Sequence, residues 1–154
     1  MSKGFVVAEQ GHFVTLLNPQ SLGAAVTSDT FLMENWAHAT LIFQFGAGSG
    51  TTITVGECTS FAGSDRTAVT FRYAQEATDA GDVLDAALAW ASTITIAAGT
   101  SAVAIIEIDA DELTDGYPYL QTNIADPGTA KLASGIAILS GGRYQEDITV
   151  TAIA

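Results

Sequence analysis

Between Glu34 and Val55 the chain reads ENWAHATLIFQFGAGSGTTITV, and its first five residues hold a carboxylate, an indole and an imidazole. Glu34 and His38 stand four apart. On a helix that spacing sets both side chains on one face, where they could exchange a proton or share a metal ion. The segment runs directly into ATLIFQF, however, so an extended or turning backbone is expected, and that separates the two groups. A zinc centre needs three or four ligands, and the chain supplies only His12, His38 and Cys58 besides its carboxylates. Trp36 is expected to pack at the end of the domain, with His38 hydrogen-bonded or solvated.

The glycines that follow invite a second chemistry. Gly46, Gly48 and Gly50 give G-x-G-x-G, but a dinucleotide fingerprint requires G-x-G-x-x-G feeding a helix. Thr51 stands in the place of the last glycine, and TTITV continues as a strand. A phosphate loop would also need a Gly-Lys pair, which is absent here. The expectation is a glycine-rich hairpin joining two strands.

The acidic run DADELTDG, residues 109–116, resembles a calcium loop only at its start. Leu113 and Thr114 occupy the positions where D-x-D-x-[DN]-G needs an acidic or amide residue and a glycine. A looser site would have to combine Asp109, Asp111, Asp115 and Asp82 or Asp85, and the run is read instead as a solvated turn. No serine lies in a G-x-S-x-G elbow, and Cys58 has no histidine near it in sequence. Two histidines are a thin supply of general bases. The sequence thus assigns no catalytic residue, no cofactor and no metal ligand, and a non-enzymatic protein is expected.

The elements that must position these groups are strands. Ala39, Leu41, Phe43 and Phe45 alternate with Thr40, Ile42 and Gln44, and Ile53 and Val55 alternate with Thr52 and Thr54. Val69, Phe71 and Tyr73 alternate with Thr70 and Arg72, and Ile148 and Val150 with Thr149 and Thr151. A period of two means a sheet with one buried face. Further strands are expected at 12–17, 24–33, 93–97, 102–108, 117–124 and 134–140, separated by turn signals such as NPQS, AGSD and ADPGT. The fold class that follows is all-β: an antiparallel, jelly-roll-like β-sandwich of nine or ten short strands with at most one short helix. Residues 79–92 fit either a short helix or a strand approach. Residues 12–154 form one domain, with 1–11 as an N-terminal arm or a first strand.

Composition narrows the partners. Five Lys and Arg against seventeen Asp and Glu give a net charge of -12, which excludes a phosphate-gripping nucleic-acid binder and an anionic membrane surface. No apolar run approaches the ~20 residues that cross a bilayer. Charged residues are only 14% of the chain, well below the usual ~25%. So uncharged a surface suits a protein that is partly covered by neighbours.

Four stretches together carry a resemblance. FLMENWAHATLIFQFGAGSGTTITVGEC, AVTFRYAQ, AIIEIDADELTDGYPYLQTNI and AILSGGRYQ, in this order and spacing over roughly residues 12–145, resemble head decoration, or cement, proteins of tailed bacteriophages. The resemblance implies a non-enzymatic β-sandwich on the capsid exterior. It would be synthesised in the host cytoplasm, often trimeric, and bound to the major capsid protein, which it stabilises by bridging neighbouring subunits. It transfers no catalytic residue. Expected contact groups are Phe5, Val6, Trp36, His38, Tyr117 and Tyr119, aromatic, apolar or polar side chains at strand ends and at the N-terminus. The alternative is a carbohydrate- or receptor-binding β-sandwich of a virion or secreted protein, with Trp36, Trp90, Tyr117 and Tyr119 as a stacking platform.

Overall fold

A computed structural model of the chain describes residues 6–77, 84 and 89–142. Val7–Gln10 makes one helical turn, closed by the Gly11 N–H donating to the Val7 carbonyl at 2.9 Å. Residues 1–5 of the segment expected as an arm or first strand lie outside the described residues. Twelve strands follow among the described residues: β1 His12–Leu22, β2 Val26–Thr27, β3 Phe31–Leu32, β4 Trp36–Gly48, β5 Thr51–Cys58, β6 Thr67–Ala68, β7 Phe71–Glu76, β8 Ala89–Ala91, β9 Ile94–Ile96, β10 Ala102–Asp109, β11 Tyr119–Ile124 and β12 Lys131–Gly142. A 3-10 turn, Ala110–Glu112, follows β10.

The strands form two antiparallel sheets. The larger runs β1-β12-β4-β10-β7-β8, and the other runs β2-β11-β5-β6 with β3 added on β11 and β9 on β5. Pairing nests from the chain ends inward. β1 pairs with β12, β2 and β3 with β11, β4 with β10, and β5 with β6 and β9. With β12 also beside β4 and β11 beside β5, this is the winding of a jelly roll. β7 and β8 extend the larger sheet past β10.

Twelve strands replace the expected nine or ten for identifiable reasons. Residues 24–33 are two short pieces interrupted at Ser28, whose hydroxyl accepts hydrogen bonds from the Thr122 N–H and the Thr122 hydroxyl, both at 2.9 Å. Residues 67–73 divide between the sheets, β6 on one and β7 on the other. Of the ambiguous segment 79–92, Ala89–Ala91 is strand, and most of the remainder lies outside the described residues. So does the strand expected at 148–151.

A further correction concerns GAGSG. It joins no hairpin: β4 belongs to the larger sheet and β5 to the smaller, so the glycines turn the chain from one sheet to the other. Period-two alternation has the same appearance on either side of a corner and a hairpin. At Gly48 a side-chain carbon would stand 2.8 Å from the Ala130 carbonyl oxygen, so the glycine lets the start of β12 lie close.

Alternation does fix the core. Ala39, Leu41, Phe43 and Phe45 on β4, Ala104, Ile106 and Ile108 on β10, Ile53 and Val55 on β5, and Leu120 and Ile124 on β11 are all buried between the sheets. Each such Leu, Ile, Val or Phe side chain stabilises the fold by roughly 1.5–3 kcal/mol relative to exposure. Among the described residues no helix is long and apolar enough to cross a membrane.

Candidate functional site

The inward positions are occupied by this core, so chemistry must lie on the solvent faces of the two sheets or on the corners, and the larger sheet carries the denser set of ionisable groups. On that face the register lines up two rows across the strands. One runs Ile136, Ile42, Ile105 and Ala74, from β12 through β4 and β10 to β7. The next runs Phe13, Ile138, Thr40, Glu107, Arg72 and Trp90, from β1 to β8. One row is apolar, and the other is apolar at one end and charged at the other.

His38 sits beside the charged end. Its Nε2 lies 2.6 Å from Glu107 Oε2 and its Nδ1 lies 2.6 Å from Asp109 Oδ1. A carboxylate only accepts, so both ring nitrogens must carry a proton and the imidazolium is the form this geometry holds. Burial alone lowers the His38 pKa, but hydrogen bonds and the charges of Asp109 and Glu107 outweigh it and leave the pKa raised. Burial likewise pushes the Asp109 carboxyl up, while His38 and Arg72 pull it further down, below the ordinary value. Arg72 Nη2 donates to Asp109 and stands 3.8 Å from Glu112, with its guanidinium carbon 5.7 Å from the centre of the Trp90 ring. Thr40 donates to Glu107 at 2.7 Å. The cluster is a cross-strand ion network. With both ring nitrogens committed, His38 offers no free lone pair as a base or metal ligand.

The other expected contact groups are scattered. Phe5 lies outside the described residues, and Val6 is exposed just before the helical turn. Trp36 is buried, stacked on His12 with ring centres 5.4 Å apart, and so belongs to the end of the core. Tyr117 lines a corner cavity of about 170 Å³ with Met33, Glu34 and Asp115. Tyr119 is half-buried on β11 of the smaller sheet, and Trp90 stands exposed on β8 at the edge of the larger one. The four rings of the stacking hypothesis therefore do not form one platform. Glu34 is exposed, and the partners of His38 are Glu107 and Asp109 instead. Asp82 and Asp85 lie outside the described residues, and among those described no group of three or more His, Cys, Asp or Glu could hold a metal ion.

Cys58 is fully buried, and burial raises its thiol pKa, which disfavours the reactive thiolate. Lys131 is buried as well. Its ammonium donates to the Thr100 carbonyl at 3.3 Å, and burial lowers its pKa. Arg66 donates to Thr54. Of the three Lys and Arg among the described residues, Arg72 is ion-paired, Lys131 is buried and Arg66 is partly buried, whereas Asp29, Glu34, Asp65, Asp111, Asp115 and Asp126 are exposed. The sequence carried the net charge but not this segregation, which depends on the register.

No protein-family profile matches the chain, and no curated protein sequence matches it. Among solved structures it is similar to the SPBc2 prophage-derived protein YomS, with a TM-score of 0.50 and 11% identity over 83% of this chain and 92% of that one. At that identity the likeness establishes a shared fold. A family two carbohydrate esterase from Cellvibrio japonicus aligns with a TM-score of 0.30 and 12% identity, over 86% of this chain and 34% of that one. The VP2 protein of infectious bursal disease virus gives 0.27 and 12%, over 93% of this chain and 43% of that one. Both scores are too low to carry an argument.

Proposed function

We propose that this protein is a structural virion component that binds the outside of a phage capsid and stabilises it by bridging neighbouring major capsid subunits. The observation that carries the reading is the one-sided surface charge: among the described cations Arg72 is ion-paired, Lys131 is buried and Arg66 is partly buried, and exposed carboxylates surround the jelly roll. Such a module is steered to a basic protein surface and repelled by a packaged genome. The fold it shares with a prophage-derived protein supports a phage origin.

The mechanism is linkage. A module that touches two or more subunits at once binds the assembled shell better than separated subunits, and so stabilises the shell by its differential affinity. The experiment is co-sedimentation of the purified protein with heads that lack it, at 50 and 500 mM salt. Binding at low salt that weakens at high salt and raises the temperature of head disruption is expected. Absence of binding at both salts refutes the proposal.

A further inference from the structure

His38 holds two carboxylates with two protons, and the arrangement fails when one proton leaves. Its Nε2 stands 2.6 Å from Glu107 Oε2 and its Nδ1 2.6 Å from Asp109 Oδ1. A neutral imidazole donates from one nitrogen and carries a lone pair on the other, while a carboxylate only accepts. With His38 neutral, one of the two contacts sets a lone pair against a carboxylate oxygen and must open. The local charge changes with it. Protonated His38 and Arg72 face Glu107, Asp109 and Glu112, whereas neutral His38 leaves Arg72 alone against the same three. Among the described residues nothing on the flanking strands replaces the lost charge. β12 presents Ser140 opposite His38, and its one ionisable residue, Lys131, lies at the far end beside Gly48. On β7, Glu76 stands away from His38, opposite Val103.

The backbone decides which contact opens. Glu107 lies inside the sheet, paired with Thr40 on β4 and Arg72 on β7, and Thr40 also donates to its carboxylate at 2.7 Å. Asp109 is the last residue of β10 and is paired with β4 alone. It leads into the turn Ala110–Glu112, which packs on β4, and its N–H donates to Glu112 Oε2 at 2.9 Å. Arg72 does not resist a shift of this turn, because its Nη2 is shared between Asp109 and Glu112. Beyond the turn the chain is fixed again, where the Thr114 N–H donates to the buried Glu57 at 2.8 Å. We infer that the second proton of His38 is a latch on the acidic corner 109–113, which is held against β4 with it and detaches from β4 without it. The latch does not depend on capsid binding. Burial lowers the His38 pKa, but Asp109 and Glu107 outweigh it, so the corner is held below about pH 6.5 and opens as pH rises through the higher folded value.

NMR of the labelled full chain between about pH 5.5 and 9 tests the inference, with imidazole 15N shifts for His38 and carbon-detected spectra for the backbone. Both ring nitrogens should be protonated at the acid end, and one should lose its proton with a midpoint above about 6.5. Backbone resonances of 109–113 should move with that same midpoint, while those of Val55 and Leu120 in the core stay fixed. In His38→Gln the corner should no longer respond to pH over this range. Glu107→Gln removes one carboxylate charge and should lower the midpoint, which keeps the test available should His38→Gln fail to fold. Corner resonances that stay fixed while His38 titrates, a ring that loses its proton below pH 6.5, a corner that moves equally in His38→Gln, or a midpoint unchanged by Glu107→Gln overturns the inference.

Discussion

Replacing Gly135 by alanine should destabilise the fold, although glycine inside a strand is ordinarily the weaker choice by roughly 0.5–1 kcal/mol. Gly135 faces inward on β12, opposite Phe43 on β4, and the fully buried Phe43 ring lies over it. A side-chain carbon at position 135 would stand 2.5 Å from Phe43 Cδ1, with Cε1 closer still. Carbon atoms rest at about 3.5–4.0 Å, so the ring must move by more than 1 Å. Phe43 is also stacked beside Phe45, with centroids 6.5 Å apart, so that movement disturbs a second ring. Overpacking of this kind costs about 1–3 kcal/mol. Set against the gain from removing a glycine, a net loss of about 1–2 kcal/mol remains. For a chain of this size that lowers Tm by about 2–8 °C. The assay is thermal and urea unfolding of Gly135→Ala, with Gly23→Ala as control, since a carbon there meets nothing within 4 Å. In a Phe43→Leu background the penalty should fall by at least half. A Tm that rises on Gly135→Ala, or a penalty unchanged in that background, would refute the packing argument.

Two further outcomes follow from the polar contacts. The raised His38 pKa means that its contribution is fully present below about pH 6.5, its unfolded value, and is lost as pH rises through the folded one. The lowered Asp109 pKa means that its contribution is present above about pH 4 and lost as pH falls through the folded value. The stability difference between the wild type and His38→Gln should therefore be greatest between about pH 4 and 6.5. About 1–2 kcal/mol is expected there, discounted for partial exposure, and it should shrink toward pH 9. Urea midpoints at five pH values check this, and a difference independent of pH contradicts it. Ser28→Ala removes the acceptor of the buried Thr122 N–H and should cost about 1–3 kcal/mol in the same assay, whereas Thr27→Ala, exposed beside it, should cost less than about 0.5 kcal/mol.

What was legible in the sequence follows from its period. The inward faces of β4, β5 and β10 could be read because every second residue meets the opposite sheet, and one wrong step would bury Thr40 or Glu107. Sheet membership was not legible. GAGSG suits a hairpin and a corner equally, and only the nesting of strands far apart in sequence distinguishes them. The ion network was hidden for the same reason: its carboxylates lie 69 and 71 residues from His38, and alternation gives a face without a register. Trp36, prominent as a contact candidate, is core because His12 and the end of β12 close over it. The charge imbalance was visible at once. That, among the described residues, Arg72 is ion-paired and Lys131 buried was not.

Capsid binding is tested most directly by mixing the full-length protein with heads that lack it and measuring the protein retained in the sedimented particles. Saturable retention that falls as salt rises, with a higher temperature of head disruption, is the expected result. Protein left wholly in the supernatant at low salt, with heads no more resistant than before, would contradict it.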